Sequence, residues 1–161
     1  VCTSCHGGNF VDGHYRQFDG VVQLYNNKFA VPAGKIMDLI KKKNLLKRKA
    51  AFGNKIEWIY WEIWHHEGRR ARHGAAMMGP DYTWWHGIYE VAQHFYFKFL
   101  PAARKLKDKE VDAMIDKLIK DDPMHSWLTR STKEIKDDIR SGKMQQLYKD
   151  FFKPGSGTAA H

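Results

Sequence analysis

The chain of 161 residues predicts an all-α fold, on three observations. Apolar residues recur three and four positions apart over long stretches, the period of a helix face. Those stretches are bounded by recognisable caps and by proline or glycine breaks. No pair of segments alternates apolar and polar residues as half-buried strands do. There is no internal repeat.

The elements follow in order. Residues 7–20 are rich in Gly, Asp and Asn and read as a loop. Residues 21–30 have no decisive period and fit either a helix or a strand. Pro32 suits a helix start, and Ile36, Leu39, Ile40, Lys43 and Leu46 follow at roughly helical spacing. The lysine-rich run 41–49 is read as a solvated or partner-facing helix end. Gly53-Asn54 breaks this helix, and Asn54 caps the next with Glu57 at the third position.

The new helix, residues 55–72, has apolar residues wrapped most of the way round, which implies burial on nearly all sides. Residues 75–80, Ala-Ala-Met-Met-Gly-Pro, form a break. Residues 81–99 read as a long helix, bent at Pro101 where a backbone donor is missing, and continuing to Ile119. Asp121-Asp122-Pro123 marks another start, with helix through Ile139 and again to Phe152. The expected division is an attachment segment and loop over 1–20, a helical domain over 21–152 and a flexible tail over 153–161.

The N-terminus carries the most specific chemistry. Cys2-Thr3-Ser4-Cys5-His6 is a complete CxxCH, and these are the only two cysteines in the chain. Two thiols at this spacing can form thioethers to the two vinyl groups of one haem, with the adjoining histidine as iron ligand. A disulfide framework and a four-thiolate zinc site need more cysteines. A thioredoxin-like CxxC belongs at a strand-to-helix junction in a βαβ unit, and no such unit is visible. Haem c on Cys2 and Cys5, with His6 below the iron, is therefore expected. Such attachment happens outside the cytoplasm, so the protein is expected to be exported, its signal peptide lying outside this sequence.

Composition agrees. Six Trp, seven Tyr, nine Phe and nine His suit the walls and ligands of porphyrins. The net charge of +9 would suit nucleic acid or another anionic partner, but haem propionates would offset part of it, and with no nucleic-acid motif no nucleic-acid partner is expected. No apolar run approaches the roughly 20 residues of a membrane span.

More histidines are present than one haem needs, so some are expected to ligate haems attached elsewhere. His86 and His73 come first, with His66 and His14 behind. His66 and His73 lie two turns apart on one helix, and Gly87 beside His86 would let a macrocycle approach the backbone. His125 and His161 read as ordinary core or surface residues, and His94 is undecided. Tyr82, four residues before His86, reads by spacing alone as a buried, hydrogen-bonded tyrosine.

The block from Trp64-His65-His66-Glu67-Gly68-Arg69-Arg70 through His73-Gly74 to Gly79-Pro80-Asp81-Tyr82-Thr83-Trp84-Trp85-His86-Gly87 resembles the C-terminal helical region of the hydroxylamine oxidoreductase family. These are octahaem c-type enzymes of ammonia-oxidising and anammox bacteria. The layout is similar too: a last CxxCH followed by long helices of a multihaem c-type cytochrome. The segment after about Pro123 adds nothing to the likeness.

The resemblance implies a homotrimer with eight haems per subunit, seven of them electron carriers and one catalytic. It implies that Tyr82 is bonded covalently to the catalytic haem of a neighbouring subunit, a feature of the oxidative members. Cys2, Cys5 and His6 would hold the last electron-transfer haem. The catalytic haem's own attachment site and acid–base residues would lie outside this sequence. It further implies a small nitrogen substrate, a cytochrome as redox partner, and a periplasmic or anammoxosome-lumen location. The alternatives are hydrazine dehydrogenase, which shares fold and tyrosine, and a multihaem electron-transfer cytochrome with no substrate. Cyanide binding to an open iron separates the last from the first two.

Overall fold

The computed structural model describes residues 1–151, and all its regular elements are helical. Helix accounts for 79%, with no strand among the described residues, as the sequence period predicts. His161 and the expected tail over 153–161 lie outside the described residues.

A 3-10 turn, Cys2–Ser4, leads into helix α1, which spans residues 8–42. At about 1.5 Å per residue it is roughly 50 Å long. It joins Gly8–Tyr25 and Val31–Lys42 through a π segment, Asn26–Ala30. Residues 7–20 are therefore not a loop, and residues 21–30 are settled as helix. The reason is cooperativity. Val21, Tyr25 and Phe29, four apart, anchor the helix in the core. Each residue added outward from that anchor brings a further backbone hydrogen bond, which offsets the glycines' weak propensity.

Helix α2 covers residues 55–76 with a π segment at Glu62–Glu67. The Asn54–Glu57 capping box is present, with the Asn54 amide N–H donating to Glu57 Oε2 at 2.9 Å. Helix α3 covers residues 81–104, with π segments at Asp81–Tyr89 and Phe95–Phe99. The second π segment ends two residues before Pro101, where the chain absorbs the proline and stays helical.

The break that the sequence reading placed nowhere before Ile119 comes at residues 105–108. Lys107 adopts a left-handed φ of 55°. Asp108 then caps α4, Lys109–Asp121, by accepting from the backbone N–H of Glu110 and Val111. Residues 123–131 are likewise not continuous helix: they hold a short 3-10 turn, Ser126–Thr129, before α5, Thr132–Arg140, and α6, Lys143–Phe151.

The core lies where α1, α2, α3 and α4 meet. Phe29, Ile36 and Ile40 from α1 pack with Ile59 and Ile63, with Phe95 and Phe99, and with Val111 and Ile115. Helices α2 and α3 form an antiparallel hairpin of very close approach. A Cβ on Gly87 would lie 2.6 Å from Ala71 Cα, and one on Gly74 would lie 2.7 Å from Thr83 N. The expectation that Gly87 admits a macrocycle is thus overturned, because Ala71 of the facing helix occupies that space. The burial on nearly all sides expected for residues 55–72 is also corrected: Ile56, Ile59 and Ile63 are buried, while Trp58 and Trp64 are exposed.

Candidate functional site

The CxxCH is a single exposed turn. Cys5 N–H and His6 N–H both donate to the Cys2 carbonyl, at 3.2 and 3.0 Å. Cys5 follows directly on the 3-10 turn Cys2–Ser4, so one turn of backbone separates the two cysteines. Both are free and exposed. The His6 ring stacks on Phe10, with centroids 4.8 Å apart. Nothing lies within 4 Å of a Cβ built on Gly7, Gly8 or Gly13. Two free, exposed thiols one turn apart, an adjoining imidazole and open space around the neighbouring glycines fit a haem joined by thioethers. Among the described residues no three His, Cys, Asp or Glu side chains are grouped to hold a bare ion. A porphyrin asks less, since it supplies four of the iron's ligands itself.

The second cluster is the outer face of the α2–α3 hairpin. Tyr82 is 57% exposed, so the buried reading of that tyrosine is wrong. Its ring centroid is 5.9 Å from that of His86. His86 Nδ1 is 3.1 Å from Glu90 Oε1, and its Nε2 is 3.6 Å from Asp81. Arg70 crosses from α2, donating to Glu90 Oε2 at 2.8 Å and to the His86 carbonyl at 3.2 Å. The same guanidinium lies 3.1 Å from the His66 ring. His66 and His86 are therefore brought together through Arg70, whereas His73 stands exposed one turn before the end of α2. Around them Trp64, Trp84, Trp85 and Tyr89 are also exposed. No family model, curated protein or solved structure matches this chain.

Two histidines are core residues. His125 is fully buried, with Nδ1 3.0 Å from the Tyr96 hydroxyl, and burial pushes its pKa down to about 4. Burial in turn raises the Tyr96 phenol well above its ordinary value. His94 is buried against Glu67, with Nδ1 3.3 Å from Oε1, and Lys98 contacts its other nitrogen. Glu67 was missed by sequence reasoning. It continues the buried stripe of Ile56, Ile59 and Ile63 at helical spacing, and a carboxylate on that stripe is the signal that marks it. His14 lies on α1 beside Tyr15, half-buried.

No helix among the described residues is long and apolar enough to cross a membrane, as expected.

Proposed function

We propose that this chain carries a c-type haem on Cys2 and Cys5, with His6 as iron ligand. In this reading it forms the C-terminal helical part of a hydroxylamine-oxidising octahaem oxidoreductase. The observation that carries it is the exposed one-turn CxxCH with two free cysteines. When bound, the haem supplies one-electron chemistry, and the chain's residues hold and orient it.

Tyr82, His86 and His66 occupy one accessible polar and aromatic face, where groups from other parts of the protein can reach them. Arg70 and Glu90 fix the orientation of His66 and His86 there. His73 is free to meet a haem attached elsewhere. The exposure of Tyr82 supports its role as the residue bonded to a neighbouring subunit's catalytic haem in a trimer. A buried tyrosine could not serve that role.

Two measurements test the reading. Acid-acetone extraction should leave haem on the polypeptide, and free extraction refutes the attachment. Tyr82→Phe in the assembled enzyme should abolish hydroxylamine oxidation and let subunits separate in denaturant. A variant that keeps both activity and crosslink refutes the catalytic part.

A further inference from the structure

The positive charge of the chain is gathered where α1 ends. Segments 41–49 and 104–110 hold ten Lys or Arg against two acids, and the whole chain carries +9, so the remainder is nearly neutral. The fold makes the two segments one surface. Lys43 Nζ lies 2.7 Å from Asp108 and 3.2 Å from Glu110, so both acids are taken up by the cation that joins them. Leu45, Leu46 and Leu106 pack against the core and hold both backbones there. Arg104 pairs with Asp112 and Asp116. The other eight cations are exposed, with no carboxylate partner among the described residues. Helix α1, roughly 50 Å long, separates this surface from the CxxCH turn. Charges are screened over about 8 Å at physiological salt, so propionates of a haem on that turn do not neutralise it.

An exposed aromatic pair stands beside the basic run. Phe52, at a left-handed φ of 56°, and Trp58 are 42% and 51% exposed. Their ring centroids are 4.7 Å apart, and Trp58 Nε1–H donates to the Phe52 carbonyl at 3.1 Å. Asn54 ties this pair to the run: its side-chain amide donates to the Arg48 carbonyl at 2.8 Å, and its Oδ1 accepts from the Arg48 N–H at 3.2 Å.

We propose that this surface docks an acidic polypeptide segment that brings an apolar side chain onto Phe52 and Trp58. The inference stands apart from the haem reading. Unpaired cations around a fixed aromatic platform are the layout of a protein interface: rim charges steer and select the partner, and the aromatic centre anchors it. The platform is already ordered, so docking loses little conformational entropy there. An aromatic that anchors to lipid enters the acyl boundary, whereas Trp58 is held to the Phe52 carbonyl. Single-strand binders string separate aromatics along a basic groove, whereas Phe52 and Trp58 are packed into one unit.

The test uses the full chain, with a polyglutamate peptide bearing one central leucine as probe and the same peptide with serine there as its control. Binding is titrated at about 150 mM salt, where distant charges are screened. Wild type should bind the leucine peptide more tightly, and Trp58→Ala should erase that difference. Lys47→Glu, Arg48→Glu and Lys49→Glu together should weaken binding at least about tenfold with unchanged far-ultraviolet helicity. Lys105→Glu with Lys109→Glu should weaken it as well, because both segments form the surface. Lys133→Glu, Lys136→Glu and Lys149→Glu make the same charge change as the triple variant, on α5 and α6, and should alter binding less than about twofold. If only the 47–49 reversal matters, the run acts alone and the assembled surface is refuted. An equal loss in the α5–α6 variant means that net charge alone is at work and overturns the site. Equal or tighter binding of phosphatidylserine vesicles or a DNA duplex, lost with the same reversals, overturns the polypeptide in favour of lipid or nucleic acid.

Discussion

Two ends of this molecule are built from the same residue types and treat them oppositely. At the core end, Phe29, Phe95, Tyr96 and Phe99 interlock edge-to-face and stacked, and His125 is sealed among them with one nitrogen on the Tyr96 hydroxyl. At the other end, the CxxCH turn and the hairpin turn leave aromatic rings and histidines facing outward. Trp85 is 66% exposed and Phe95 is 0% exposed. Aromatic residues contribute to stability by burial, so those at the outer end contribute little to the isolated chain. Their placement makes sense if something large, flat and apolar covers them.

Substitutions at the two ends should separate those roles. The largest effect is expected at Phe99, whose replacement by Ala should destabilise the fold by about 3–5 kcal/mol, read from chemical denaturation. Trp85→Ala should change stability by less than about 0.5 kcal/mol. If Trp85→Ala costs as much as Phe99→Ala, the division into a structural end and a recognition end fails.

Acid should act through the core end. His125 is held neutral, with a folded pKa of about 4 against an ordinary 6.5. Its contribution is complete above pH 6.5 and is lost as pH falls towards 4, because the unfolded chain takes up the proton first. The loss should reach roughly 3 kcal/mol by about pH 4. His125→Gln should flatten that part of the stability profile, whereas His86→Gln should not.

Glycine substitutions sharpen the contrast by changing sign. Gly87→Ala forces a methyl into Ala71 and should cost about 1–3 kcal/mol. Gly13→Ala meets nothing within 4 Å and should stabilise the haem-free chain by about 0.5–1 kcal/mol through helix propensity. An effect confined to one helix end is expected at the α5 cap. Ser131 accepts from the Glu134 N–H in a capping box, and Ser131→Ala should cost about 1 kcal/mol. None of that helix's residues is buried, so a loss much above 1 kcal/mol would contradict a purely local cap.

How much was legible differs by element. The Asn54–Glu57 cap and the α2–α3 break could be read directly, because their signals are local. The helix over residues 7–20 could not, since seven Gly, Asn or Asp residues argue for a loop and the anchor that overrides them sits at Val21, Tyr25 and Phe29. The break at residues 105–108 carried a local signal in the Asp108 cap, but the helical spacing on either side obscured it. At the site, the CxxCH was plain from its spacing alone. The ranking of the other histidines was not, because one-dimensional spacing does not say which of them a facing helix covers.

By itself, then, the sequence determined the all-helical class, the CxxCH spacing of Cys2, Cys5 and His6, and the starts of α2 and α3. These follow from covalent spacing, backbone propensity and caps, all of which act over a few residues. Only the tertiary structure decided that Gly87 serves Ala71, that Tyr82 faces outward, and that Glu67 and His94 are buried together. Those outcomes depend on which helix lies against which, and close packing between residues distant in sequence sets that.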